Sequence, residues 1–510
     1  MKKLYFILFL FTGIISGNSL KAQFEYKDVA HIFYSRCTSC HHENQHAPPF
    51  MNYYQTTLPS YALLGNLTSN TMPPWTPDTT YTRFQHEHII TDQEKNDLIN
   101  WINHGELAGD TTLAPPAPTY PQYQLYGTPD LILRTGTFVS NASTDDAYNC
   151  FSLATNLTQD RILRAYEIVP GNAPIVHHVV VNIDSMGTTT SSLNGSCYTI
   201  TGDVGIGGYA PGAPPTVFPG QAHLKAGIRM KAGCKLVLQI HYPAGTAGQI
   251  DSTQIRLYFY PVGTTGVRPV YASVPLQNWS LNIPANTTRT FTANATNLFN
   301  TSVFATFPHS HKICTSLINY AYQNTDTIPL IKINNWRFDW QGYYTFRNLV
   351  KIPAGYTLYS SHFYDNTVGN PYNPNSPPIN VFAGTSTTDE MLFDSFLWLV
   401  YQPGDELIDV AAILANDPLL AGVNENTTPN LISNVYPNPT SDKLNIYFSK
   451  KSDYKISIST IEGKNMLTAK TNEDYSQLDV KNISSGLYIL QAQDIKSGES
   501  FSKKVIITHK

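Results

Sequence analysis

Ile175-Val-His-His-Val-Val-Val-Asn-Ile183 and Lys235-Leu-Val-Leu-Gln-Ile-His-Tyr242 decide how this chain folds. Both are short, rich in β-branched and aliphatic residues, and lack a helical period, which reads as strands of a two-sided sheet. Gln254 to Tyr260 and Ser302 to Phe307 repeat the pattern, with Gly, Pro, Asn and Thr turns between them. From about residue 125 to 415 the expectation is therefore mainly β, in sandwich form. The same runs carry imidazoles. His177, His178 and His241 form one set; His309 and His311 of Pro308-His-Ser-His311, with Met391, form a second.

Imidazole and thioether are suitable donors for copper that cycles between Cu(I) and Cu(II), and a soft sulfur favours the reduced ion. His309 and His311 fall on one face of a strand, because side chains alternate with period two. Adjacent His177 and His178 would point to opposite faces, so joint ligation predicts a bulge or a strand end there. Gln239 shares a face with His241 and is a candidate partner for that ring. A single strand histidine is most often structural; the company of the others gives His241 a ligand's reading.

Upstream, Ala114-Pro-Pro-Ala-Pro-Thr-Tyr-Pro121 breaks regular structure and marks a linker over 113–124. Before it, over 24–112, stands Cys37-Thr-Ser-Cys40-His41. This is the attachment pattern of a c-type haem: two thiols form thioethers and the adjacent His binds the iron. Val29, Ile32 and Phe33 have helical spacing before it. Thr91-Asp-Gln-Glu94 is a capping box that opens a helix through Leu98, Trp101 and Ile102, with Gly105 closing it. Met72, held between Thr71 and Pro73-Pro74, is the candidate for the second axial ligand. A zinc site on Cys37, Cys40, His41 and His42, or a plain disulfide, are the competing readings of the motif. His42, His46, His86 and His88 read as surface or haem-edge residues.

Met1-Lys-Lys3, the apolar Leu4 to Ile15 and the small residues up to Ala22 read as a secretory signal, and no later segment is apolar enough to span a bilayer. An oxidising destination makes the other cysteines disulfide candidates. Cys150, Cys197, Cys234 and Cys314 allow three pairings. Cys150 and Cys197 flank the His177-His178 run and are the preferred pair, with Cys234 and Cys314 left open. A net charge of −4 with 14% charged residues offers no basic surface for nucleic acid.

In order along the chain, Ile175-Val-His-His-Val-Val-Val181, Gln239-Ile-His-Tyr242, Pro308-His-Ser-His311, Tyr364-Asp-Asn366 with Asn370-Pro-Tyr-Asn-Pro-Asn375, and Thr388-Asp-Glu-Met391 resemble the copper type II, ascorbate-dependent monooxygenases. The resemblance covers nearly all of 125–405. It implies two jelly-roll-type β-sandwich domains, here 125–282 and 283–415, each with one copper and facing across a cleft. His177, His178 and His241 would hold the electron-transfer copper. His309, His311 and Met391 would hold the oxygen-activating one, where one atom of O2 enters a C–H bond of a small substrate and the other leaves as water. The segment from Phe24 to about Glu106 resembles small secreted cytochrome c domains, in which the Met-Pro-Pro segment carries the distal ligand. That fusion suggests the haem as an internal electron donor, with an external reductant such as ascorbate as the other source. Peptide-hydroxylating relatives carry an Arg two residues before the His-x-His pair. Here Phe307 stands there, which disfavours a carboxylate-bearing peptide and favours an uncharged substrate.

Beyond a second linker (416–430), residues 431–510 alternate again: Val435-Tyr-Pro-Asn-Pro-Thr-Ser-Asp442, Lys443-Leu-Asn-Ile-Tyr-Phe448 and Gly486-Leu-Tyr-Ile-Leu-Gln491. They look like the C-terminal sorting domain of Bacteroidetes type IX secretion cargo, a small β-sandwich. This implies the secretion machinery as a partner and a destination at or beyond the cell surface. A noncatalytic copper/haem electron-transfer protein, or a surface-binding protein on the same scaffold, is the alternative function.

Overall fold

The Lys235–Tyr242 strand lies at the centre of a four-stranded antiparallel sheet, between Ala147–Ala154 and His178–Asp184, with Val204–Tyr209 at the far edge. Leu236, Leu238 and Ile240 point one way into the core and are fully buried. Gln239 and His241 alternate to the other face, as the period of two requires. A larger sheet, built on Arg161–Val169, Gln254–Phe259 and Leu224–Met230, covers the inner face and completes the first sandwich. In this computed structural model, residues 24–45, 47–193, 204–221, 223–420, 432–460, 464–496 and 500–509 are described. The expected signal segment, His46 and Cys197 lie outside them.

The second sandwich pairs a sheet of Tyr271–Asn278, Leu392–Val400, Thr301–Phe307 and Tyr344–Ile352 with one of Thr287–Thr296, Thr357–Asn366, Cys314–Gln323 and Asp326–Ile333. Its first strand corrects the boundary expected at 282. Tyr271–Asn278 bonds to Leu392–Val400 of the second sandwich, so the chain changes sandwich just after the short Arg268–Pro269 strand. The two sandwiches are packed together by apolar contact, with Phe218 and Phe304 rings 5.7 Å apart. Two buried ion pairs flank that contact, Arg164 with Asp417 at 2.7 Å and Arg268 with Asp405 at 2.6 Å.

The N-terminal module is helical. Tyr26–Arg36, Tyr53–Thr57, Ser60–Thr68 and Asp92–Asn103 surround Val29, Ile32, Phe33, Leu98 and Trp101. Thr91 caps the last helix as its sequence predicts: its hydroxyl accepts from Glu94 N–H and the Glu94 carboxylate accepts from Thr91 N–H. At the other end of the chain, Lys443–Phe448, Tyr454–Thr460, Gly486–Asp494 and Ser500–Ile507 belong to two small sheets with their own core around Leu444, Ile456 and Leu490. The architecture is mainly β, with helices concentrated at the N-terminus. No helix among the described residues is long and apolar enough to cross a membrane.

Candidate metal centres

The strand that carries His178 begins at that residue, directly after the turn Ala173–Ile175. His177 thus stands at a strand end, where its N–H donates to His241 O at 3.0 Å, and its ring is not bound to alternate with that of His178. His178 lies opposite His241 in register. The three imidazoles converge: His177 Nδ1 is 3.4 Å from His178 Nδ1, which is 3.2 Å from His241 Nδ1. Two nitrogens bound about 2.0–2.1 Å from one tetrahedral metal stand about 3.3 Å apart, so the set fits a first-row ion. Burial, then the two neighbouring rings, holds His178 well below the ordinary histidine range, so the ring is neutral and one of its nitrogens keeps a lone pair for a metal. Asp146 Oδ2 lies 3.2 Å from His241 Nε2, and Tyr148 stacks on that ring at 4.5 Å. Both touch His241, and Gln239, on the same strand face, lines the cleft.

His309 and His311 are brought together differently from the expectation. The strand ends at Phe307, and both histidines lie in the connection beyond it. Pro308 has no N–H to extend the ladder, so strand alternation stops there. The rings nonetheless meet edge to face, 5.2 Å apart. His309 Nδ1 donates to Gln341 Oε1 at 2.6 Å and His311 Nδ1 donates to Asp389 O at 2.9 Å. Each ring therefore keeps Nε2 for a ligand, and His309 Nε2 is buried without a partner. Burial, then His311, pushes His309 down to about 3, so it is neutral at any working pH. Met391 is buried on the wall of the same cleft, and two neutral nitrogens with a thioether fit copper.

Glu390 organises this second set. Fully buried, it accepts N–H from His311 at 2.9 Å, Ile313 at 2.7 Å and Met391 at 3.2 Å, while Ser310 Oγ donates to Met391 O at 2.6 Å. Burial pushes its carboxyl up to about 7 against those donors. Asp394 performs a similar task one layer below, accepting from His309 N–H, Ser360 Oγ and His362. Glu390 was within reach of the sequence, one residue before Met391. Asp146 and Gln341 are single polar residues with no pattern to mark them.

In the helical module Cys37 and Cys40 carry free thiols, whereas Cys150 is disulfide-bonded; its expected partner Cys197 is outside the described residues. Cys234 and Cys314 are both free and buried, which settles their open pairing as no bridge. Burial holds the Cys37 thiol up at about 12 and that of Cys40 at about 11. Among the described residues the convergent donor cluster is His177, His178 and His241, not the cysteine pair. His41 Nδ1 donates to Pro48 O at 2.7 Å and its ring stacks on Phe50 at 4.2 Å, which orients Nε2 as an axial ligand requires. Cys37, Cys40 and His41 offer the two thiols and the imidazole nitrogen that a covalent haem would use. Met72 is 38% exposed, and no described contact ties it to His41. Cys40 Sγ donates to Pro211 O at 3.3 Å. That loop follows Val204–Tyr209, whose Tyr209 pairs with Val179, next to His178.

His178, His309, His311 and Met391 all line one cleft of about 1330 Å³ between the sandwiches. His86 and His88, read from sequence as surface or haem-edge residues, line it too.

Residues 434–508 match the family model for the secretion system C-terminal sorting domain. The tail is a secretion sorting domain. The protein is accordingly cargo of the type IX machinery of a Bacteroidetes-type bacterium, exported to the cell surface or secreted. No curated protein matches the chain. Among solved structures it is similar to PorZ, a surface component of the type IX system of Porphyromonas gingivalis (16% identity, 22% of this chain and 14% of that one, TM-score 0.14). It is also similar to a β-glucuronidase from Ruminococcus gnavus (7% identity, 49% and 46% covered, TM-score 0.16). The chain thus spans less than half the length of either.

Proposed function

We propose that the chain is a secreted copper-dependent monooxygenase that hydroxylates a C–H bond of a small molecule with O2, with a c-type haem on its N-terminal module. The observation that carries this reading is the pair of unlike donor sets, three imidazoles and two imidazoles with a thioether, with His178 of the first and all three residues of the second on one cleft. When bound there, two coppers would supply two single electrons for the reduction of O2 that accompanies oxygen insertion. The residues contribute position and exclusion. Gln341 and the Asp389 carbonyl fix the tautomers of His309 and His311, so both present Nε2. Glu390 holds the backbone of His311 and Met391 together, keeping nitrogen and sulfur donors in one place. Phe307 stacks along His309 at 6.0 Å and Phe338 stands edge-on to His311 at 5.7 Å, which keeps water from crowding the second set. Asp146 balances cationic charge at the first set. On the haem side, Cys40 rests on the loop that follows the strand paired beside His178, which supports a role as electron donor to that set.

The test is oxygen uptake by copper-loaded protein with ascorbate and a metabolite extract, with labelled O2 to mark the product. A hydroxylated product carrying one labelled oxygen, lost in His309→Ala, is the expected result. Copper and haem binding without any labelled product would instead identify a noncatalytic electron-transfer protein.

A further inference from the structure

The cleft has a third wall, supplied by the N-terminal module. Residues 75–88 leave the helices and pack onto the second sandwich. Phe84 is 0% exposed inside that sandwich's core, its ring 5.1 Å from Phe346 and 5.5 Å from Tyr344. Gln85 N–H donates to Thr345 O at 2.8 Å and its side-chain amide donates to Phe346 O at 2.9 Å. Arg347 donates to Phe84 O at 2.9 Å, and Arg347 and Arg83 both grip Glu87, at 3.2 and 2.6 Å. Between these anchors His86 has φ +53°, a left-handed conformation that costs a non-glycine residue on the order of 1 kcal/mol or more. A segment that only joined two domains would not need to hold a histidine so. His88 follows, its ring 6.2 Å from that of Trp75 and 6.1 Å from that of Trp340. Trp75, His86, His88 and Trp340 line the cleft that His178, His309, His311 and Met391 also line.

We propose that residues 75–88 form the substrate-recognition wall, and that the substrate is a bulky, largely apolar molecule bearing a hydroxyl or carbonyl group and no negative charge. This inference rests on the monooxygenase reading and adds the substrate class to it. The indoles of Trp75 and Trp340 take the apolar body, and the imidazoles of His86 and His88 hydrogen-bond the polar group. Size and charge both follow from the walls. About 1330 Å³ exceeds the ~300–1,000 Å³ of clefts that hold drug-sized ligands. Among the described wall residues Lys312 is the one Lys or Arg and no Arg is present, so a carboxylate or phosphate finds no bidentate clamp. Phe307, Phe338 and Phe393 stand beside the second donor set, so the part of the substrate that meets it is apolar, while Asp145, Asp146 and Asp339 on the cleft walls disfavour a negative charge.

The experiment uses the full chain and two fluorescent probes of one size, 1-pyrenemethanol and 1-pyrenecarboxylate, followed by anisotropy. Pyrenemethanol is expected to bind at least ten-fold more tightly than the carboxylate. Trp75→Ala and His88→Ala should each weaken it five-fold or more with copper stoichiometry unchanged. His86→Gly suits the left-handed backbone while deleting the ring, and it keeps the test open if Trp75→Ala does not fold. Equal binding of the carboxylate probe, or unaltered binding in His86→Gly and His88→Ala, overturns the proposal while leaving the copper reading intact. A wild-type chain that binds no copper would overturn the underlying reading instead.

Discussion

Glu390→Gln isolates what holds the second donor set together. Oε2 of Glu390 accepts from His311 N–H at 2.9 Å and Met391 N–H at 3.2 Å, and Oε1 accepts from Ile313 N–H at 2.7 Å. A glutamine with its carbonyl oxygen at the first position keeps two of these bonds and turns an N–H against that of Ile313. With the carboxyl pushed up to about 7, loss of the charge itself is a small part of the effect at neutral pH. The Ile313 N–H then lacks an acceptor and faces the new amide N–H, which sets a cost of at least about 1–3 kcal/mol. Because the displaced backbone joins His311 to Ile313, that energy should appear as copper affinity at the second set, weakened by about 5- to 150-fold. Affinity at His177, His178 and His241 should not change. Copper titration of Glu390→Gln in two backgrounds, His309→Ala to report the first set and His178→Ala to report the second, reads the two separately. Equal weakening at both sets, or none at the second, would refute the assignment of Glu390 as the residue that positions it.

Phe84→Ala removes a fully buried ring and should cost about 3–5 kcal/mol; the expected readout is fast proteolysis and hydrogen exchange within residues 75–88 before the sandwiches unfold. Gly212→Ala must fail sterically, since φ is +77° and the new Cβ would lie 2.1 Å from Cys40 Sγ; alkylation of Cys40 in reduced, haem-free protein should become several-fold faster. Asp184 accepts N–H from Met186, Gly187 and Thr189, and Asp405 is paired with Arg268 and Ser302. Burial alone would raise both carboxyls, but these donors outweigh it and hold them below the ordinary range. The unfolded chain then binds more protons below about pH 4, so their contribution is present above that pH and lost as pH falls through the folded values. Midpoints of thermal unfolding should therefore drop on acidification, less steeply in Asp184→Asn.

What the sequence made legible was local. The Lys235–Tyr242 strand has the bounds its alternation predicts, Thr91 caps its helix, and the adjacency of His177 and His178 foretold the strand end that lets their rings converge. What it hid was long-range. The placement of His309 and His311 depends on a carboxylate 79 positions away from His311, and nothing local forecasts it once Pro308 ends the strand. Trp75 and Phe84 are isolated aromatics without a period, so their docking on the second sandwich was invisible. Tyr271–Asn278 reads as a strand in either sandwich; only its hydrogen bonds to Leu392–Val400 decide which.

The most direct test of the account is copper-edge X-ray absorption of the reduced, copper-reconstituted chain, with copper counted per chain. Two coppers are expected, one seeing only nitrogen or oxygen donors and one with a sulfur neighbour, and the sulfur signal should vanish in Met391→Ala while the three-histidine signal persists. One copper per chain, or a sulfur signal that survives Met391→Ala, would contradict it.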